Sequence, residues 1–235
     1  MTSGIDHRAR IARIREDTAG IAVAIDRFGT SAPVSHCGEW CVGDVVTHLG
    51  AVHRWATGIV QTGVPSRRLD TAPETGVELG EWLRQGADDL CAALERVAPE
   101  TECWTFGGSP AEAGFWARRQ MLETSVHRFD VESAVGEPTS ISSEVAAEGI
   151  NEVVDVLFPR QVELGRAVSL PGQVALLATD AEGRWVLGKP SAARAEISGP
   201  VVSLFLMLWK RPYPEVTREG DASVLAAADT TALTP

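Results

Sequence analysis

Residues 115–132 read FWARRQMLETSVHRFDVE, a run without glycine or proline that mixes charged and apolar residues at the helical period. Three earlier runs show the same period: from Ile11 to a stop near Gly29, from about Val42 to Val60, and from Glu78 to Val97. Glycine or proline follows each of these three runs. Four amphipathic helices in succession predict an up-down four-helix bundle.

The chain changes character after this bundle. A fifth helix is predicted from Ser142 or Ser143 to Pro159, and short strands separated by turns follow over residues 174–179, 184–187 and 193–198. The first two of these strands are predicted to form a hairpin. A helix over residues 200–209, an edge strand near 215–218 and a last helix over 221–228 complete a small α+β unit. We therefore expect a helical domain over residues 1–160 and an α+β domain over residues 161–235.

Composition excludes several classes of partner. The 235 residues are 44% hydrophobic and carry a formal net charge of −11, which argues against binding to the phosphate backbone of nucleic acid. The longest apolar run, residues 201–209, is far shorter than the roughly 20 residues of a membrane span. The first seven residues lack the apolar core of a signal peptide. We expect a cytoplasmic protein without a nucleic-acid or membrane partner.

The four cysteines include no C-x-x-C pair, and in a reducing cytosol they are expected to be thiols. Cys37 and Cys41 can also be read as metal ligands together with His36. This would be a single cluster without a second pair of cysteines.

A stronger set of metal ligands lies on the predicted helices. His48 is on the second helix, and Glu123 and His127 lie one turn apart on the same face of the fourth. Helical bundles form metal sites from inward side chains of facing helices. Three protein ligands with nitrogen and oxygen donors leave the fourth position of a zinc ion open, which is typical of catalytic zinc sites. A chance or surface pairing of Glu123 with His127 is the alternative. His53 is turned about 140° from His48 around the helix and is expected to be structural or to lie at the mouth of the site.

Two aspartates are close enough in sequence to support these histidines. Asp130 follows His127 by three residues, and Asp44 precedes His48 by four. A metal-bound imidazole usually donates its other N–H to such a group. The alternatives are a surface ion pair for Asp130 and a charge at the N-terminus of a helix for Asp44.

Two segments carry a resemblance to a known family. Residues 40–50, WCVGDVVTHLG, resemble the W-T-V-x-D-L-V-x-H-L segment of the maleylpyruvate isomerase family of mycothiol-dependent enzymes, a branch of the DinB-like bundles. Residues 115–130 are similar to the family's F-W-x-R-R and E-T-x-V-H-R-x-D segments, and residues 206–211 with 220–221 resemble its appended α+β domain. The resemblance implies a DinB-like up-down four-helix bundle followed by a small α+β domain.

The resemblance also implies a divalent metal, usually zinc, held by His48, Glu123 and His127, whose open position takes the thiol of mycothiol. A free thiol has a pKa of about 8.5, and coordination to a dication deprotonates it. The thiolate could add to an electron-poor double bond and leave after rotation, or it could displace a leaving group. Arg118 and Arg119 are expected to bind carboxylates of mycothiol or substrate, and Arg211 is the candidate catalytic arginine.

The sequence is compatible with three functions. The leading one is a metal- and mycothiol-dependent thiol transferase or thiol-assisted isomerase acting on a small electrophilic metabolite. The second is maleylpyruvate isomerase itself, in gentisate catabolism. The third is a non-catalytic, stress-related bundle that binds a metal or another ligand. The expected partners are mycothiol and the small electrophile, and the chain is expected to be a monomer or a homodimer.

Overall fold

A computed structural model of the chain describes residues 4–67, 76–214 and 216–235. It divides the chain into two compact units, Met1–Ser140 and Ile141–Pro235. The first unit is helical and the second combines helices with a sheet. This agrees with the predicted order of a helical bundle followed by an α+β domain.

Within the described residues, four helices form the first unit: α1 (His7–Phe28), α2 (Val42–Thr62), α3 (Gly76–Glu95) and α4 (Ala113–Ala134). Helices α1 and α2 each pack chiefly against α3 and α4. The predicted four-helix bundle is therefore confirmed. Its core contains apolar side chains from α1, α2 and α3, among them Ile21, Ile25, Val42, Val45, Val46, Leu49 and Leu83.

Local capping explains where the helices begin and end. The Asp6 side chain accepts a hydrogen bond from the backbone N–H of Ala9 at 2.8 Å and starts α1. At the start of α2, the Asp44 carboxylate reaches back to the backbone N–H of Cys41 at 2.8 Å. Helix α2 ends at Gly63, whose φ of 73° is in the left-handed region that glycine adopts without strain.

Helix α4 differs from a surface helix because it is buried on nearly all sides. Every residue from Arg119 to His127 is buried, although several of these side chains are polar or charged. Buried polar groups are costly unless they have partners. This polar stretch therefore needs partners from the rest of the bundle.

The second unit contains α5 (Ser143–Glu152), a π-helical turn (Val153–Leu157), α6 (Phe158–Glu163), β1 (Gln173–Ala178), β2 (Arg184–Leu187), β3 (Arg194–Gly199), α7 (Val201–Leu208), β4 (Thr217–Gly220) and α8 (Ala222–Thr230). In the described part of the chain, the sheet has the strand order β2-β1-β3-β4. Strands β1 and β2 form the predicted antiparallel hairpin, β3 is parallel to β1, and β4 is antiparallel to β3. Among the described helices, none has the length and apolar character needed to cross a membrane.

Two predicted boundaries differ from those of the structure. The fifth helix does not end at Pro159, because a π-helical turn leads directly into α6, where Pro159 lies in the first turn. Leu157 and Phe158, which precede the proline, keep right-handed helical backbone angles, so the helical path continues through it. The edge strand expected near 215–218 is β4, and Glu215 lies outside the described residues.

The division between the units precedes α5, whereas we expected it after residue 160. Helix α5 packs against α7 of the second unit, where the ring of Phe205 lies directly against Gly149. The sequence periodicity runs on to Pro159, but it does not indicate which core a helix joins. Residues 141–160 therefore lie in the unit that contains the sheet.

Candidate metal centre

Two helices of the first unit bring three potential metal ligands together. Glu123 Oε1 lies 3.0 Å from His48 Nε2 and 3.5 Å from His127 Nε2. One ligand atom from each residue lies within 4.8 Å of the other two. In a tetrahedral zinc site with bonds of about 2.1 Å, neighbouring ligand atoms are about 3.4 Å apart. The three side chains therefore have a spacing that suits a small divalent cation.

The three residues differ in their exposure to solvent. Glu123 and His127 are buried on α4, whereas the His48 side chain on α2 is 21% exposed. The ring of Trp40 lies beside that of His48, with 5.2 Å between centroids, and Trp40 itself is exposed. The centre is thus closed on the α4 side and open near His48 and Trp40.

Arg119 contacts the carboxylate of Glu123 directly. Its guanidinium pairs with Glu123 Oε2, which leaves Oε1 facing the two histidines. Both side chains are buried, and a buried carboxylate requires such a counter-charge. Arg119 and Arg118 were both expected to bind mycothiol or substrate. The structure places Arg119 against a candidate metal ligand, and Arg118 is partly exposed on α4.

Asp130 orients one of the histidines. His127 Nδ1 lies 3.0 Å from Asp130 Oδ2, so the opposite ring atom, Nε2, is directed toward Glu123. Asp130 is fully buried. The expected hydrogen bond to His127 is confirmed, and the alternative of a surface ion pair is wrong. Such a partner fixes the tautomer and orientation of a metal-binding imidazole.

Asp44 has a different role. Its Oδ2 accepts hydrogen bonds from the backbone N–H of Cys41 at 2.8 Å and from Cys41 Sγ at 3.1 Å. The backbone hydrogen bond is the main reason that the pKa of Asp44 is lowered. Asp44 is therefore a charge at the N-terminus of α2, as the alternative interpretation of the sequence expects.

His53 is structural, as expected from its position around α2. It is completely buried, and its Nε2 lies 3.0 Å from Thr124 Oγ1. Because the Thr124 hydroxyl donates to the carbonyl of Gln120, it accepts from His53, which requires the proton on Nε2. Burial lowers the pKa of His53 to about 3, so its imidazole is neutral.

A second group of donors lies on the other side of Asp130. His36 Nε2 is 2.8 Å from Asp130 Oδ1, and Cys37 Sγ is 3.6 Å from Asp130 Oδ2. The sequence allows His36 and Cys37 to be grouped with Cys41 as metal ligands, but Cys41 Sγ donates a hydrogen bond to Asp44 instead. Cys37 and Asp130 are 93 positions apart, which no local spacing rule could have connected.

Arg211 lies in the second unit, just after α7. It is partly exposed, donates to the carbonyl oxygen of Trp209 at 2.7 Å, and has its guanidinium carbon 5.8 Å from the centre of a Trp209 ring. These contacts orient its side chain. Its catalytic role stays a prediction.

Comparisons with known proteins identify the family. Residues 11–132 match the model of the mycothiol maleylpyruvate isomerase N-terminal domain, and residues 144–230 match that of the MDMPI C-terminal domain. The fold resembles crystal structures of mycothiol-dependent maleylpyruvate isomerase and of a variant with one histidine replaced by alanine. Sequence identities are 14% and 13%, TM-scores are 0.68 and 0.69, and each comparison covers 93% of this chain and 96% of the other. No curated protein matches the sequence. Because the N-terminal model alone spans more than half of the residues, the chain belongs to the mycothiol maleylpyruvate isomerase family of enzymes.

Proposed function

We propose that the protein uses mycothiol and a divalent metal, zinc being the first candidate, to transfer a thiol to a small electrophilic metabolite or to isomerise it. The convergence of His48, Glu123 and His127 carries this proposal. Two imidazole nitrogens and one carboxylate oxygen are the donor set of many catalytic zinc sites, which keep a fourth position open. Family membership supports mycothiol as the thiol and the cytoplasm as the compartment.

A metal bound at this centre would lower the pKa of a coordinated thiol from its usual value of about 8.5 and so supply a thiolate at neutral pH. The chain contributes the orientation of the ligands. Asp130 fixes the ring of His127, and Arg119 holds Glu123 through the oxygen that faces away from the histidines. Both contacts reduce the rearrangement that metal binding requires.

The approach of thiol and electrophile is proposed to be from the open side near His48 and Trp40, where the centre is least buried. Arg118 is proposed to bind a carboxylate of mycothiol or substrate, because it is more exposed than Arg119. Arg211 is proposed to take part in catalysis. Replacing Arg118 with methionine is expected to raise KM more than it lowers kcat, whereas Arg211→Met is expected to lower kcat.

Maleylpyruvate isomerisation is the second candidate, favoured by a fold match over 93% of the chain to the enzyme that performs it. The two candidates differ in their products. Conversion of maleylpyruvate to its trans isomer, with mycothiol recovered unchanged, would identify the isomerase. Inertness toward maleylpyruvate, together with thioether formation from another electrophile, would identify a transferase.

The metal and thiol steps are tested together. Metal content is measured by inductively coupled plasma mass spectrometry on protein purified without chelator, followed by calorimetric titration with mycothiol. We expect His48→Ala and His127→Ala each to lose one equivalent of zinc and to stop binding mycothiol. Asp44→Asn is the matched control and should keep both properties.

A different result would favour the non-catalytic alternative. Folded protein that cannot take up zinc at this centre, or that binds zinc tightly but accepts no added thiol, would contradict the proposed chemistry. The bundle would then be a ligand-binding protein.

A further inference from the structure

The loop between α1 and α2 holds two side chains beside Asp130. Within this loop, the backbone N–H of Val34 donates a hydrogen bond of 2.8 Å to the carbonyl of Trp40. Gly38, with a φ of 64°, allows the tight turn at its tip. This geometry fixes His36 and Cys37 over the part of α4 that carries Asp130.

The three side chains have the spacing of metal ligands. His36 Nε2 and Cys37 Sγ lie 2.8 Å and 3.6 Å from the two oxygens of Asp130, and one ligand atom from each residue lies within 4.8 Å of the others. Zinc bonds of about 2.0 Å to oxygen and nitrogen and about 2.3 Å to sulfur place tetrahedral ligand atoms about 3.3 to 3.8 Å apart. Small side-chain shifts would therefore admit a cation.

Burial and charge also suit a cation. Asp130 is completely buried, the His36 side chain is 9% exposed, and Cys37 is partly exposed at the loop. The carboxylate supplies negative charge at the base of the cluster, and the cysteine side gives access from solvent. A thiolate ligand favours zinc over magnesium or calcium.

We propose that His36, Cys37 and Asp130 form a second metal site, separate from the centre at His48, Glu123 and His127, that binds a thiophilic divalent cation such as zinc. On binding, the Cys37 Sγ–H bond breaks, the proton passes to water, and Sγ bonds to the metal. A water molecule from the open side completes the coordination.

The two sites share Asp130 without competing for it. Asp130 Oδ1 faces His36, whereas Oδ2 lies 3.6 Å from Cys37 Sγ and accepts from His127 Nδ1. A metal held through Oδ1 leaves the hydrogen bond to His127 in place, so both sites can be filled at once. The second site is thus positioned to influence His127 through one carboxylate, which goes beyond the proposed function of the first centre.

Cobalt titration distinguishes the sites, because only the second contains a thiolate. Protein freed of metal by a chelator is titrated with Co²⁺, without added thiol, and the near-ultraviolet thiolate-to-cobalt charge-transfer band is followed. We expect two equivalents of Co²⁺ per chain, one of which produces the band. Cys37→Ser should lose the band and one equivalent, whereas Cys41→Ser, from the same loop, should keep both.

His48→Ala separates this inference from the proposed function. It should lose one equivalent of Co²⁺ and retain the charge-transfer band, since it leaves His36 and Cys37 unchanged. Loss of the first centre and loss of the second therefore give different signals. A band that is absent from the wild-type protein, or that survives Cys37→Ser, would overturn the second site.

A measurement on the unmodified chain covers the case in which Cys37→Ser does not fold. Alkylation of Cys37 and Cys41 by iodoacetamide is followed by peptide mass spectrometry with and without Zn²⁺. Zn²⁺ should protect Cys37 and leave Cys41 reactive. Equal alkylation of Cys37 under both conditions would contradict the inference.

Discussion

Asp130 connects the candidate metal centre to the loop between α1 and α2. Its two oxygens face His127 on one side and His36 on the other, and its side chain is wholly buried. A carboxylate in this position keeps the proton of His127 on Nδ1 and leaves Nε2 for a metal. Its charge would therefore raise the affinity of the proposed first centre for a metal, although it does not face that centre directly.

Asp130→Asn tests this role with little change in shape. The amide removes the negative charge that accepts the imidazole N–H, so we expect zinc affinity at the first centre to fall by about 10- to 100-fold. Competition with a chromophoric chelator, in a Cys37→Ser background, measures that centre alone. Asp44→Asn is the control, and equal affinities for the two variants would contradict the assigned role of Asp130.

The burial of His53 leads to a prediction about how the stability of the fold depends on pH. Its folded pKa of about 3 lies below the ordinary value of 6.5, so below pH 6.5 the unfolded chain binds a proton that the folded chain excludes. The stability contributed by neutral His53 is thus present above the ordinary pKa and is lost as pH falls toward 3. NMR of the folded protein should show no His53 titration between about pH 5 and 8. A midpoint near 6.5 would contradict its burial as a neutral group.

Sequence reasoning identified those residues of the site whose partners lie on regular helices. Glu123 and His127 are one helical turn apart, His48 lies on the second predicted helix, and the resemblance to a family supported grouping the three. The contact between His36 and Asp130 joins a loop to a helix across 94 positions, and it could not be predicted from helical spacing. Arg119 and Glu123 are four residues apart, a spacing that permits an ion pair on one helix face. Spacing alone does not indicate whether Arg119 binds the Glu123 carboxylate or a cofactor, because that depends on which side chains are buried.

At the scale of elements, close packing between α2 and α3 depends on a glycine. The Trp82 ring of α3 lies so close to Gly50 of α2 that an added Cβ would overlap its carbons. The guanidinium of Arg54 covers the ring at 4.0 Å from its centroid and donates to the Trp82 carbonyl at 2.7 Å. The ring therefore has little room to move away.

Gly50→Ala is expected to destabilise the protein by about 1–3 kcal/mol, the usual cost of overpacking. Gly58→Ala is the matched control on the same helix, because its nearest neighbour is Ser66 Oγ at 3.4 Å. Alanine favours a helix by up to about 1 kcal/mol over glycine, so the control should be neutral or stabilising. Urea unfolding measures both variants, and similar midpoints would contradict the described packing.

Periodicity predicted the elements better than their connections. The four bundle helices and the β1–β2 hairpin follow from apolar spacing and turn residues. The continuation past Pro159 does not, because it depends on a π-helical turn that moves the proline into a new first turn. A proline inside a helical pattern usually indicates an end, and here the local backbone geometry changed that outcome.

At the scale of the whole molecule, the order of domains could be predicted but their boundary could not. Helix α5 belongs with the sheet because the ring of Phe205 packs against Gly149, a contact between residues far apart in sequence. Its own amphipathic pattern is compatible with either core. Only the positions of the apolar partners decide between them.

The reactivity of the four cysteines shows which of them are buried in the first unit. Burial raises the pKa of Cys91 to about 12 and also raises that of Cys103, whereas Cys37 and Cys41 are partly exposed. Since the thiolate is the reactive form, native protein treated with iodoacetamide, without metal, should be modified at Cys37 and Cys41 only. Peptide mass spectrometry reads the four sites separately, and rapid labelling of Cys91 in folded protein would contradict the packing.

We propose above that His48, Glu123 and His127 hold a divalent metal. Anomalous diffraction at the zinc absorption edge, from crystals of protein purified without chelator, tests it most directly. We expect an anomalous peak within about 2.0–2.2 Å of His48 Nε2, His127 Nε2 and a Glu123 carboxylate oxygen. Zinc-supplemented crystals with no anomalous peak among these three side chains would contradict it.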